Sequence, residues 1–195
     1  MNHREFIDKD RTVGLAYYDL LDQASSMEVN DFVESLNNLM KADPCFMDTH
    51  LLMIEILKEN GEAKKARRLL DECFERAIEL IIDEEGNWPE KIPWGFLENR
   101  HIIRIIFNKA TALWDQEQTE PALKLFRKLL RTNPNDNIGA RQYILAIRMG
   151  MSLNKFEKRF DKGGYYDEEL ITWFDKNAGK YPDEFGWWFD LIEKQ

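Results

Sequence analysis

Residues 99–150 read NRHIIRIIFNKATALWDQEQTEPALKLFRKLLRTNPNDNIGARQYILAIRMG, and this stretch determines the predicted fold. Apolar residues recur at spacings of three and four from Glu98 to Trp114, which predicts an amphipathic helix there. Thr119 is the predicted N-cap of a second helix, because its hydroxyl can accept a hydrogen bond from a first-turn N–H group. That helix is expected to end before Pro134, since the residue before a proline is pushed out of the α region. Asp136 is the predicted N-cap of a third helix.

The order of small and large residues within these helices matches a known repeat. Ala122, Phe126 and Pro134 fall where a tetratricopeptide repeat has a small residue, an aromatic residue and a closing proline. Ala110 takes the small position in the partner helix, where it would let the two helices approach closely. The segment therefore resembles a tetratricopeptide repeat. Any antiparallel helical hairpin is the alternative that the periodicity leaves open.

The repeat period of about 34 residues divides most of the chain. Gly61 lies five residues before Ala66, as the turn glycine and the small residue of such a repeat do. The predicted fold class is all-α, with antiparallel helical hairpins stacked as a short tetratricopeptide-like (α-α superhelix) array in a single domain over residues 1–195. Its predicted parts are degenerate repeat units at about 13–46, 47–80, 103–136 and 137–162, an insertion at about 84–98 and C-terminal capping helices at about 165–195.

The segments outside the repeats have distinct compositions. Residues 84–96 hold two prolines, two glycines and three aromatics, so they are expected to form an ordered loop, either a packing plug or part of a ligand site. The aromatic-rich terminal helices, at about Asp167–Asn177 and Asp183–Lys194, are interpreted as a cap of the array. The alternative is an exposed aromatic patch that binds a partner, including a second copy of the chain. Residues 1–11 are polar and are expected to be frayed or to form a short cap.

Two stretches combine aromatic, acidic and arginine residues and supply the candidate site. One reads Pro93-Trp94-Gly95-x-x-Glu98-x-Arg100, and the other reads Asn133-Pro134-Asn135-Asp136-Asn137-x-Gly139-x-Arg141. Both are similar to the corresponding parts of uncharacterised bacterial tetratricopeptide-like proteins. This resemblance covers about residues 90–148, and it implies a helical-repeat fold and no known activity. The candidate ligand- or peptide-binding residues are Trp94, Glu98, Arg100, Arg104, Asn137 and Arg141.

Arginine supplies the recognition chemistry of this candidate site. A planar guanidinium group can hold a carboxylate through two parallel hydrogen bonds. Arg100, Arg104 and Arg141 are therefore expected either to pair with acids of the fold, such as Glu98 or Asp136, or to bind an anion or a peptide carboxylate.

No stretch carries a strong catalytic or metal-binding motif. The chain lacks a phosphate-binding glycine loop, a Gly-x-Ser-x-Gly elbow and a His-Glu-x-x-His pair, and its three histidines are far apart. The leading hypothesis is therefore a non-catalytic interaction module, a scaffold or adaptor, that binds a protein or peptide without a cofactor or metal. The alternative is a small enzyme or ligand sensor that binds an anionic small molecule near Trp94, Arg100 and Arg141.

Charge and cysteine content narrow the expected partners and location. The formal net charge is −9, but residues 100–162 hold 13 Lys/Arg and 6 Asp/Glu and so carry +7. This basic section is interpreted as making intramolecular contacts, with an anionic ligand or an acidic peptide as the alternative. The net acidity disfavours nucleic acid as a partner. No apolar run is long enough to span a membrane, and the two cysteines, expected to be free thiols, favour a cytoplasmic location.

Overall fold

The structure is a computed structural model that describes residues 4–161 and 168–194. Within these residues the chain forms helices and no β-strand, and a single bridge pairs Glu5 with Lys91. The prediction of an all-α protein is therefore confirmed. The helices are α1 (Val13–Gln23), α2 (Val29–Ala42), α3 (Met47–Glu59), α4 (Ala63–Ile81), α5 (Leu97–Asp115), α6 (Thr119–Thr132), α7 (Ala140–Arg148), α8 (Leu153–Phe160), α9 (Glu168–Ala178) and α10 (Pro182–Ile192), with a 3-10 turn at Ala24–Ser26.

The contacts group the chain into two compact units, residues 1–109 and residues 110–195. We call them the first unit and the second unit. The helix pairs α1 and α2, and α7 and α8, lie within the predicted ranges 13–46 and 137–162, although Lys162 lies outside the described residues. The bounds differ elsewhere, because α4 ends at Ile81 and α5 begins at Leu97, ahead of the predicted start at 103. The division into repeat units stays a prediction. The organisation as a single domain over residues 1–195 stays a prediction.

The first unit is built from two packed helix pairs, α1 with α2 and α3 with α4, and α2 also packs on α3. The connections are short, so the paired helices run antiparallel. Gly61 lies in the turn between α3 and α4 with a φ of 76°, a backbone conformation that glycine adopts without steric cost. The core of this unit contains apolar side chains from α1 to α3 and their connections: Val13, Tyr17, Leu20, Leu36, Phe46 and Met53.

The second unit has an aromatic core. The rings of Tyr143 and Phe156 lie 4.9 Å apart, and Trp173 of α9 contacts Phe160 at 5.0 Å between ring centroids. Trp114 also packs on this cluster, and its indole N–H donates to the Met151 carbonyl at 3.1 Å. Aromatic pairs at such distances stabilise a core beyond the apolar area that they bury.

The aromatic residues of the two terminal helices mostly point inward. Trp173, Phe174, Phe185 and Trp188 are all buried. The interpretation of these helices as an exposed aromatic patch is therefore wrong for these four residues. Tyr165 and Tyr166, at the start of the predicted cap, lie outside the described residues.

The loop that precedes α5 is ordered by the start of the chain. Residues 84–96 are non-helical, as expected, and Ile92 within them is fully buried. Residues 4–11, which we call the N-terminal segment, lie beside this loop. The Phe6 N–H group donates to the Lys91 carbonyl at 2.9 Å. The expectation that the start of the chain is frayed is therefore wrong for residues 4–11.

Candidate functional site

Asn99 at the start of α5 connects the N-terminal segment to the loop. Its side chain is fully buried and makes three hydrogen bonds. The amide oxygen accepts the Asp8 N–H group at 2.9 Å. The amide nitrogen donates to the Phe6 carbonyl at 3.1 Å and to the Pro93 carbonyl at 3.0 Å. One side chain therefore holds both irregular segments against the same helix.

A buried ionic network anchors the N-terminal segment a second time. Asp8 accepts two hydrogen bonds from Arg11, at 2.5 and 3.1 Å, and one from the Nε2 atom of His101 at 2.9 Å. Arg11 also donates to both carboxylate oxygens of Asp43, at 2.9 and 2.8 Å. Burial alone would raise the pKa of Asp8, but the bonds from His101 and Arg11 outweigh burial and hold that pKa below its usual value.

The hydrogen bonds of His101 define its tautomer. Its Nδ1 atom accepts the Met47 N–H group at 3.1 Å, so in the neutral ring Nε2 carries the proton that is donated to Asp8. Both ring nitrogens are therefore engaged. In this state the ring has no free lone pair with which to act as a general base or bind a metal ion.

Trp94 and two arginines form a stacked group beside this network. The Arg100 Nε–H group donates to the Trp94 carbonyl at 3.1 Å, and its guanidinium carbon lies 5.1 Å from the centroid of the Trp94 ring. The Arg104 guanidinium lies 5.6 Å from the same ring and forms an ion pair with the buried Asp48. No carboxylate among the described residues pairs with Arg100. Its two NH₂ groups are therefore available to a ligand.

A cavity of about 300 Å³ opens next to Arg100. The exposed side chains of Leu15, Tyr18 and Leu97, which are 77%, 51% and 68% accessible, contribute to its lining. Exposed apolar side chains that are grouped around a cavity are a feature of surfaces that bind partners. The remaining lining residues are Lys9, Asp10, Arg11, Gly14, Phe46, Asp48, Glu98, Arg100 and His101.

A second cavity of about 290 Å³ adjoins the first, since Tyr18 and Asp48 line both. Side chains of α1, α3 and α5 form its walls, including Leu51, Glu55 and Asn108. We call these two cavities together the groove. It lies wholly within the first unit.

The residues predicted for the candidate site divide between the two units. Trp94, Glu98, Arg100 and Arg104 belong to the first unit, where Glu98 and Arg100 line the groove. Asn137 and Arg141 belong to the second unit, and the Asn137 side chain is exposed.

Asp136 organises the start of α7, where Arg141 lies. The formal N-cap is Gly139, whose φ is 79°, and not Asp136 as predicted. The Asp136 carboxylate nevertheless caps the helix, because it accepts the N–H groups of Ala140 at 2.7 Å and Arg141 at 3.0 Å. Burial raises the pKa of Asp136 to about 6, against the opposing effect of Arg141.

Arg141 is engaged within the second unit. Its Nη1 atom donates to Asp136 at 3.0 Å, and its guanidinium lies 5.4 Å from the Phe174 ring and 5.2 Å from the Trp188 ring. Its Nε–H group is buried and has no hydrogen-bond partner among the described residues. Of the two roles expected for this arginine, pairing with Asp136 is the one observed.

Several residues of the groove were not among those predicted. Leu15 and Tyr18 lie on α1, outside the two stretches that supplied the candidate site. The buried positions Val13, Tyr17 and Leu20 follow i, i+4 and i+7, and Leu15 and Tyr18 fall off this stripe. That displacement is the sequence signal that identifies them as surface residues. The N-terminal segment carries no comparable signal, because its contacts with the loop and with α5 are made with residues 83 to 93 positions away.

Neither a known relative nor another kind of site gives this chain a function. The chain matches no family model, no curated protein and no solved structure in the comparisons made. In the described part of the chain, no three histidine, cysteine or acidic residues are grouped as metal ligands. None of the described helices is both long enough and apolar enough to cross a membrane.

Proposed function

We propose that the protein is a non-catalytic interaction module of the tetratricopeptide-like type. In this proposal the groove of the first unit binds a peptide segment of a partner protein. The observation that carries the proposal is a mainly apolar groove bordered by the exposed side chains of Leu15, Tyr18 and Leu97. A first cavity of about 300 Å³ is at the small end of the range for ligand pockets, and it suits one or two apolar side chains better than a large cofactor.

The proposal of a repeat array is supported by the residues at the repeat positions. The small residues Ala66, Cys73, Ala110 and Ala122 are all buried, as expected for close contacts between packed helices. Phe126, at the aromatic position, is also fully buried. Stacked helical hairpins of this kind present extended binding surfaces, which agrees with a role in holding a peptide.

The other hypotheses have less support. An anionic small molecule held by Trp94, Arg100 and Arg141 requires Arg141, whose guanidinium pairs with Asp136 and packs on Phe174. A homodimer through the C-terminal aromatics would have to use residues other than the four that are buried. A cytoplasmic location and the lack of nucleic-acid binding also stay predictions.

A peptide selection tests the proposal. The full-length protein is used to select binders from a library of random peptides displayed as internal segments, and affinities are measured by fluorescence anisotropy. Burying a leucine against a ligand is worth about 1.5–3 kcal/mol. Leu15→Asp and Leu97→Asp are therefore expected to weaken the binding of the selected peptides at least about tenfold.

Val29→Asp is the matched control, since Val29 is also an exposed apolar helical residue, 75% accessible, but does not line the groove. It is expected to leave binding unchanged. Failure to select any peptide, or equal binding by all three variants and the wild type, would overturn the proposed function.

A further inference from the structure

We infer that the groove recognises an internal segment of a partner protein. In this segment an apolar residue lies close in sequence to an aspartate or glutamate. The apolar side chain enters the first cavity, and the carboxylate binds Arg100. This inference rests on the proposed function, which it makes specific by naming the chemistry of the partner.

Arg100 is held ready to bind a carboxylate. The bond from its Nε–H group to the Trp94 carbonyl and the contact with the Trp94 ring, 5.1 Å from the guanidinium carbon to the centroid, hold the guanidinium in place. The two terminal NH₂ groups of the Arg100 guanidinium remain available, and together they can donate two parallel hydrogen bonds to one carboxylate. Because the side chain is already ordered, binding costs less conformational entropy than it would for a mobile arginine.

The other charges that line the groove limit the ligand to few negative groups. The cations Arg11 and Arg104 are neutralised by acids of the fold, whereas Lys9 has no ion-pair partner in the described part of the chain. Asp10 and Glu98 also line the first cavity and have no described ion-pair partner. These two acids would repel a run of carboxylates, so the expected ligand carries one acid beside its apolar residue and is not polyacidic.

The continuity of the groove favours a segment that passes through it. The two cavities share Tyr18 and Asp48 in their linings, so a chain bound in the first cavity can continue between α3 and α5 toward Leu51 and Asn108. We therefore assign the carboxylate to an acidic side chain within a segment and not to a chain terminus.

The test is a double-mutant cycle on the selected peptides. Each peptide is synthesised with a blocked carboxyl terminus, and a second version replaces its acid by the corresponding amide. Both are titrated against the wild type, Arg100→Gln and Arg100→Lys. We expect the peptide change to weaken binding to the wild type about tenfold or more, as for loss of a charge-assisted hydrogen bond, and to have little effect on Arg100→Gln. Arg100→Lys is expected to restore binding only in part, because lysine lacks the planar fork.

Arg68→Gln is the matched control, because Arg68 is an exposed arginine on α4 that does not line the groove. It is expected to bind like the wild type, and thermal unfolding of every variant verifies the fold.

Each remaining outcome overturns a distinct claim. Selected peptides that lack enriched acids, or that bind Arg100→Gln as tightly as the wild type, would refute the inference and leave the proposed function standing. Loss of binding by the peptides with blocked carboxyl termini would refute the internal segment. A selection that yields no peptide would overturn the inference together with the proposed function.

Discussion

Replacing Asn99 by alanine is expected to release the N-terminal segment from the first unit. The substitution removes an amide that accepts the Asp8 N–H group and donates to the carbonyls of Phe6 and Pro93. The substitution leaves these three backbone groups without a hydrogen-bond partner at a site where Asn99 is fully buried. The structure around it would have to open to water or keep these groups unsatisfied.

The size of the effect follows from the three lost hydrogen bonds. Leaving a buried polar group without a partner costs about 1–3 kcal/mol, so retention of the closed structure would cost about 3–9 kcal/mol. Opening of the segment limits this loss, and we expect the free energy of unfolding to fall by about 3 kcal/mol. The free energy of local opening is expected to fall similarly, which corresponds to a loss of protection of about 100-fold in hydrogen exchange.

Hydrogen exchange monitored by mass spectrometry or NMR resolves this change along the chain. The N–H groups of Phe6, Asp8 and Glu90 should exchange faster in Asn99→Ala, because each is bonded across the N-terminal segment, the loop and α5. Amides within α4 should be affected much less. Urea unfolding measures the accompanying loss of stability.

Asn108→Ala provides the control on the same helix. The Asn108 amide donates at 3.0 Å to the Arg104 carbonyl, one turn earlier, and joins no separate segment. This substitution is expected to cost less than about 1 kcal/mol. The reasoning would be refuted if Asn99→Ala cost no more than Asn108→Ala and left exchange at Phe6 and Asp8 unchanged.

Two further predictions concern buried carboxylates of the second unit. The buried Glu184 accepts hydrogen bonds from the half-buried Arg127 and Arg148, so Glu184→Gln is expected to lower the free energy of unfolding in urea by about 2 kcal/mol, because these charge-assisted bonds lose the negative charge of their acceptor. The exposed neighbour Asp183 is the control, and an equal effect of Asp183→Asn would contradict this. The pKa of Asp136 is raised by burial to about 6, above its value of 3.8 in an unfolded chain, so its favourable contribution is complete below pH 3.8 and is lost as the pH rises through 6. The stability of the wild type relative to Asp136→Asn should therefore decrease by up to about 3 kcal/mol between pH 4 and 7, and an increase over that range would show that Arg141 dominates.

The helices were predictable because their determinants are local. The apolar spacing predicted a helix from Glu98 to Trp114, and α5 runs from Leu97 to Asp115. Ser152 caps α8 through a local bond of the same kind, since its hydroxyl accepts the Lys155 N–H group at 3.4 Å. Thr119 shows the limit of such rules, because Gln118 occupies the N-cap position of α6 and its side chain makes no capping bond to the helix.

Glu98 and Arg100 were predicted as site residues and line the groove, but the rest of the groove was not predictable because its determinants are distant in sequence. Asp8 and His101 are 93 positions apart, and neither has a neighbour that identifies the other as its partner. Arginine pairing was also ambiguous, since Arg100 and Arg104 lie one turn apart on α5. Only the structure distinguishes Arg104, which is neutralised by Asp48, from Arg100, which is not.

The contact between Asp8 and His101 also sets the order in which the protein can be completed during synthesis. A ribosome adds about 5–20 residues per second, so the 93 residues that separate this pair take about 5–20 s to translate. Until α5 has emerged, the N-terminal segment has no Asn99 or His101 to bind, and one wall of the groove is missing. A nascent chain therefore has α1 and α3 before it has a binding site. Because the contact between Asp8 and His101 closes late, partner binding is delayed until the first unit is essentially whole.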